Sequence, residues 1–320
     1  QEQINEAYQG LMELLTTLDP EVRFDIANSV WANKDIPFHE AFLQAVRDAF
    51  AARVESRDFA DPATVKAVND WVSDNTDGLI PTILDQLDPS HVMLLINAIY
   101  FDGAWTTRFD PDDTRRRTFR REDGSTVEVD MMNLKDAEVA TGGGPGYSAV
   151  ELPYGGEAYG MVVVVPDGTT DVRSFLAGLD TEAWSDIVGG LTPRTLDQLS
   201  LPRFTLDYDG YLNEALEAMG MGVAFRPGAD FTRLSPLGAD MCISFVRQKT
   251  FVEVDERGTR AAAVTAVDVR VTSAGSAFVV DRPFVFAIRE RLSGTLLFVG
   301  MVGDPTAEDP GPAPLMSDCG

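Results

Sequence analysis

Thirteen residues, Thr259 to Val271 (TRAAAVTAVDVRV), form a β-strand pattern written in the composition of a loop. Every second residue, Thr259, Ala261, Ala263, Thr265, Val267, Val269 and Val271, is small or apolar, and the charges Arg260, Asp268 and Arg270 fall on the other parity. Successive side chains of an extended chain point to opposite faces, so one face of this segment is fit for burial and the other for water. Alanine, however, is depleted from strands, and Gly258 places a backbone hinge immediately before the run. A segment that must be an exposed loop in one state and a central strand in another satisfies both observations. An ordinary hairpin strand satisfies the alternation equally well.

The chain has 320 residues, 44% of them hydrophobic, enough to bury a large core in one domain or two. No apolar run approaches the ~18 residues needed to cross a bilayer, so no membrane partner is expected. A net charge of −25 opposes binding to nucleic acid, heparin-like polyanions or anionic membranes, all of which need a cationic surface that releases counterions. Only Cys242 and Cys319 are present, which excludes a disulfide framework and a four-cysteine metal site. Cys319 is read as an unpaired thiol on a flexible end. Lysine occurs only at Lys34, Lys66, Lys135 and Lys249, an arginine-rich usage that marks a GC-rich genome.

Leu11, Leu14, Leu15 and Leu18 recur with Ile4 at helical spacing. A second amphipathic stretch carries Phe42, Val46, Phe50 and Val54, and a third opens at Asp61-Pro62, a cap followed by a first-turn proline. His91 to Phe101 and Gly160 to Val165 are continuous apolar runs, as in strands covered on both faces. Helical patterns return at 172–179 and 211–219, and strand patterns at 243–254, 284–288 and 295–302. Helices first and long strands after predict an α+β fold with large, mostly antiparallel sheets. The tail after Pro305 is acidic and proline-rich, and reads as disordered.

Catalytic and metal constellations are thin. His39 and His91 are the two histidines; the first reads as an exposed helix residue and the second as a turn residue. No nucleophile elbow, phosphate loop or dinucleotide fingerprint is present. The sequence argues against an enzyme, with no catalytic residue, no metal ligand and no cofactor.

The segment Glu256 to Thr265 (ERGTRAAAVT) resembles the proximal hinge of an inhibitory serpin. Further blocks resemble the same family in its order: Asn69-Asp70-Trp71-Val72, Asn97-Ala98-Ile99-Tyr100-Phe101 with Gly103 and Trp105, Glu151-Leu152-Pro153-Tyr154, Leu201-Pro202-Arg203-Phe204, Gly220-Met221, Arg282-Pro283-Phe284 and Leu297-Phe298 with Gly300. Trp71 and Trp105 also read as core anchors and Asn97 as a buried, hydrogen-bonded amide. The resemblance implies a serpin fold over 1–305 as a single domain, with an exposed reactive-centre loop and the tail 306–320 outside it. It also implies a suicide inhibitor of serine proteases, acting as a monomer. Cleaved loop enters the main sheet as a new strand, a mode of strand addition that releases stored strain.

Glu256, Gly258, Thr259, Ala261, Ala262, Ala263 and Thr265 then form the loop hinge. Family loop spacing, counted forward from Gly258 and backward from Arg282-Pro283-Phe284, places the scissile bond at Thr272-Ser273. Thr272, preceded by Val271 and Val269, suits elastase-like or chymotrypsin-like proteases with small or apolar primary pockets. The alternative is a non-inhibitory serpin serving as a binding or chaperone-like protein; bulky or charged inward hinge residues would favour it, and there are none.

Some features depart from the family pattern. Arg260 and Val264 stand where acidic and smaller residues are common, both on the outward parity. Gln248 replaces the family's buried shutter histidine, where its amide is expected to bond Asn97 without titrating near neutral pH. The family's first helices and one strand have no counterpart, so the chain is read as truncated. Its compartment is left open, with an extracellular site favoured over the cytoplasm, and the source is read as prokaryotic.

Overall fold

The structure is a computed structural model that describes residues 2–259 and 276–307. The N-terminal third holds α1 (Glu2–Thr17), β1 (Val22–Asn33), α2 (Glu40–Phe50), β2 (Arg53–Arg57), α3 (Pro62–Asn75) and β3 (Met93–Ala104). Next come β4 (Arg115–Arg120), β5 (Thr126–Gly144), β6 (Tyr147–Tyr154), β7 (Tyr159–Pro166), α4 (Val172–Ala177), α5 (Thr181–Gly189), β8 (Thr192–Pro202) and β9 (Phe204–Tyr211). The chain continues through α6 (Asn213–Leu216), β10 (Arg247–Asp255), β11 (Gly258–Thr259), β12 (Ala277–Val279), β13 (Phe284–Glu290) and β14 (Leu296–Val302).

Two sheets organise these elements. The first has six strands in the order β2-β1-β3-β11-β10-β9; the second follows β12-β8-β5-β6-β7-β13-β14, with β4 on β5. All pairings are antiparallel except β1 with β2 and β12 with β8. The principal core lies between the sheets, where Phe24, Phe101, Val252 and Val254 meet Phe284, Phe286, Ile288 and Phe298. The other face of the first sheet is covered by α3: Val68, Trp71 and Val72 pack on Trp31, Leu94, Ile96 and Ala98. A smaller cluster joins Ile187 of α5 to Ala149, Val162 and Val164.

Local chemistry fixes the boundaries. The Asp61 carboxylate accepts from the Ala63 amide and Pro62 occupies the first turn, which starts α3 where the Asp-Pro pair predicts. β7 is buried along its whole length, as its unbroken apolar run requires. The second amphipathic stretch is shorter than its spacing suggests: Ala51 turns left-handed at the end of α2, and Val54 belongs to β2. β1 interrupts a third of the chain that reads as helical. Its apolar positions lie on two faces, toward Phe101 on one side and α3 on the other, which blurs any two-residue period. β3 is not covered throughout: Leu95 and Asn97 are exposed between buried Leu94, Ile96 and Ala98.

Candidate functional site: a hinge between two parted strands

The turn that follows β10 delivers Gly258 and Thr259 into the first sheet. Gly258 pairs with Ala104 of β3 and Asp255 of β10, and Thr259 with Gly103 and Val254. Among the described residues these are the only rungs between the two halves of the sheet, because β3 otherwise pairs with β1 and β10 with β9. Gly258 and Thr259 therefore sit between β3 and β10, which share no direct pairing among the described residues.

Glycine is required here for space as well as torsion. Gly258 has φ +150°, and a Cβ on it would lie 2.0 Å from the Gly103 carbonyl oxygen and 2.6 Å from Ala104 Cα. Thr259 is buried, and its hydroxyl lies 2.7 Å from that of Tyr154. Burial pushes the Tyr154 phenol well above its ordinary range, so the group stays protonated. The Tyr154 ring stacks on Trp105 at 4.4 Å and 12°. Trp105 in turn donates its indole N–H to the Asp255 carbonyl (2.9 Å) and its backbone N–H to that of Arg257 (2.8 Å). Trp105 is thus a core anchor, as its residue type suggests, and also the clamp on the turn that presents the hinge.

Glu256 is held just before that point. Its carboxylate is buried and accepts from Arg203 Nε at 2.8 Å on both oxygens, from Arg203 Nη2 at 2.5 Å, and from the Thr114 hydroxyl. Burial alone would raise its pKa; the hydrogen bonds from Arg203 and Thr114 outweigh it and hold the carboxyl below its ordinary value. The same contact raises Arg203. The Phe109 amide donates to the Glu256 carbonyl at 3.0 Å. At the far end of the loop, Ser276 donates its amide to Asp197 (2.6 Å), and β12 runs parallel to β8.

Of the residues the sequence marks, the structure brings together Glu256, Gly258 and Thr259. Ala261, Ala262, Ala263, Thr265 and the bond Thr272-Ser273 lie outside the described residues. The expected contact between Asn97 and Gln248 is not made. Asn97 is exposed rather than buried and donates to Asn28 Oδ1 at 2.9 Å, while Gln248 donates to Thr250 Oγ1 at 3.2 Å. The reason is the parting of the sheet: Asn97 sits opposite Asn28 on β1 and Gln248 opposite Gly210 on β9, with no pairing between their own strands. Arg203, Thr114 and Tyr154 are partners the hinge motif does not reveal. They lie far away in sequence, and an acid before a glycine carries no signal of what will neutralise it. His39 is exposed at the start of α2, and His91 follows a turn with its ring edge-on to Phe245 and its buried Nδ1 without a partner among the described residues.

Comparison with known proteins agrees with this geometry. The family model Serpin (serine protease inhibitor) matches residues 1–305. Plasminogen activator inhibitor 1 of Neovison vison is 35% identical over 288 residues, 87% of this chain and 72% of that protein. The thermophilic serpin tengpin in its native state superposes with a TM-score of 0.84 at 31% identity, covering 95% of this chain and 79% of that one. Native protease nexin-1, solved with heparin, gives 0.81 at 28% identity, covering 94% and 83%. The α+β architecture of helices on large mixed sheets is that of these structures, and the chain belongs to the serpin family.

Proposed function

We propose that this serpin inhibits serine proteases as a suicide substrate. The protease attacks the carbonyl of Thr272, the amine of Ser273 leaves, and the freed loop enters the first sheet between β3 and β10 while the protease is still held as an ester. The observation that carries this reading is the seating of Gly258 and Thr259 between two strands that share no other rung among the described residues. Continued along that line, the strand parity puts Ala261, Ala263 and Thr265 on the same side as buried Thr259, with Ala262 opposite. Small and apolar residues on that side can enter without leaving a charge unpaired.

Thr272 after Val271 suits a protease with a small or apolar primary pocket, elastase-like or chymotrypsin-like. Action as a monomer without heparin, nucleic acid or membrane belongs to the same reading. It is supported by the net charge of −25 and by α1, whose sixteen residues contain no lysine or arginine.

The test is incubation with an elastase-like and a chymotrypsin-like protease, followed by a reducing, denaturing gel and mass spectrometry. A stable covalent complex and a fragment beginning at Ser273 are expected. Thr259→Arg, which forces a guanidinium into the buried site beside Tyr154, is expected to raise the stoichiometry of inhibition. Clean cleavage with no complex would instead make the chain a non-inhibitory serpin with a binding role.

A further inference from the structure

β4 opens a dense basic run in an acidic chain. Arg115, Arg116, Arg117, Arg120 and Arg121 stand within seven consecutive positions of a protein that has 26 basic residues against 51 acids. Within β4, Phe119 is buried and the four arginines are exposed. The register on β5 puts Arg115 and Arg117 on the face of Met131 and Val129, and Arg116 and Arg120 on the face of Asp130 and Thr126. Cations therefore line both faces of one strand. The nearest carboxylates are already engaged, Asp130 by Arg116 at 3.5 Å and Glu128 by the Thr118 hydroxyl at 2.7 Å. Arg115 donates to the Asp112 and Thr114 carbonyls. The side chains of Arg117 and Arg120 have no hydrogen bond or ion pair among the described residues.

The strand also has an open edge, since β4 pairs with β5 alone among the described residues. At the turn the Arg121 amide donates to the Ser125 carbonyl, which fixes the phase of the ladder. Alternate residues then exchange bonds with β5, and Arg116, Thr118 and Arg120 point their N–H and C=O groups away from it. The Arg120 amide agrees with that phase by donating to the Asp281 carbonyl at 2.9 Å. The outward groups of Arg116 and Thr118 have no backbone partner among the described residues.

We propose that this edge docks an acidic, extended segment of another protein, which adds as a strand beside β4 with carboxylates toward the arginines on both faces. Backbone bonds to Arg116 and Thr118 hold such a segment, and its side chains select it. A second copy of β4 would set arginine against arginine. A long polyanion would overrun the site: β4 covers six residues, about 20 Å, with Asp110, Asp112 and Asp113 before it and Glu122 and Asp123 after it. A short acidic strand ends where the arginines end. Screening confines fields to about 8 Å at physiological salt, so these arginines, and not the net charge, decide what binds. Charge of either sign would protect an open edge from aggregation; arginine is the uncommon choice in so acidic a chain.

The test titrates the full chain, in about 0.15 M salt, into a short fluorescent peptide built from Glu-Glu-Val repeats. One control replaces glutamate by glutamine. The other replaces valine by proline, which keeps the charge and removes backbone donors. Saturable binding is expected, at least about tenfold tighter than for either control. Arg117→Glu with Arg120→Glu should weaken it at least about tenfold with the thermal midpoint unchanged, and Arg117→Lys with Arg120→Lys should retain it. Hydrogen exchange needs no variant: the outward amides of Arg116 and Thr118 should slow when the peptide binds. Absence of saturable binding, equal binding of the proline control, or unprotected amides at Arg116 and Thr118 would overturn the proposal. So would a heparin fragment that binds this edge more tightly than the peptide. None of these readouts involves a protease, so they stand apart from the inhibitory reading.

Discussion

The hydroxyls of Tyr154 and Thr259 lie 2.7 Å apart in a buried site, one on the second sheet and one on β11. They join β6 of the second sheet to β11 of the first by a side-chain contact. Tyr154→Phe leaves the Thr259 hydroxyl buried without its partner, at a cost of about 1–3 kcal/mol. The native thermal midpoint should fall accordingly. A double-mutant cycle with Thr259→Val should return a coupling energy of about 1 kcal/mol or more, since the second change removes the orphaned group. Additive effects would show that the contact is incidental.

Gly258→Ala should unseat the hinge. Its Cβ would fall 2.0 Å from a backbone oxygen that cannot rotate away, at φ +150°. Gly294, at φ +76° with nothing within 4 Å of the same added atom, is the control. Alanine at 294 pays for torsion alone, on the order of 1 kcal/mol. At 258 the loss should exceed that and be accompanied by faster amide exchange at Gly258 and Thr259.

The Glu256–Arg203 pair gives the native state an acid limb. The folded carboxyl titrates below its ordinary value of 4.5, so its contribution is complete above that pH and is lost as the pH falls through the folded value. Glu256→Gln should flatten this part of the stability profile. It should also cost about 1–3 kcal/mol at neutral pH, less than the ~3–5 kcal/mol of a fully buried pair because the Arg203 side chain is 43% exposed. Chemical denaturation between pH 3 and 7 decides the matter; parallel profiles for the two proteins would refute the assignment.

Gln248→Ala should leave native stability within about 0.5 kcal/mol, because the side chain is exposed and, among the described residues, donates to Thr250. If the strand gap closes against Gln248 after loop cleavage, the same change should matter only in the cleaved form. Urea midpoints of the native and cleaved proteins make the comparison.

What could be read from the chain, and what could not, follows from the range of the interactions. The Asp61-Pro62 cap and the apolar run of β7 are local signals, and each produced the element it implies, whereas the alternation after Gly258 lies, beyond Thr259, outside the described residues. β1 was hidden because its two faces bury into different cores. β4, β5, β6, β8 and β9 went unread for want of a clean period; β8, for example, is exposed over its first half and buried over its second. The hinge residues were legible as a motif, whereas their partners Arg203, Thr114 and Tyr154 were set by the packing of two sheets. The Asn97–Gln248 contact failed for a related reason: sequence places both residues on strands of one sheet but does not say that the strands are parted.

The most direct test of loop insertion is hydrogen exchange along β3 and β10 before and after a single cleavage in the loop. Entry of a new strand gives every unpaired backbone group on the facing edges a partner. Amides of Met93–Ala104 and Arg247–Asp255 whose N–H groups face the gap should then slow by orders of magnitude, with a large rise in the thermal midpoint. Unchanged exchange and an unchanged midpoint in the cleaved protein would contradict the account.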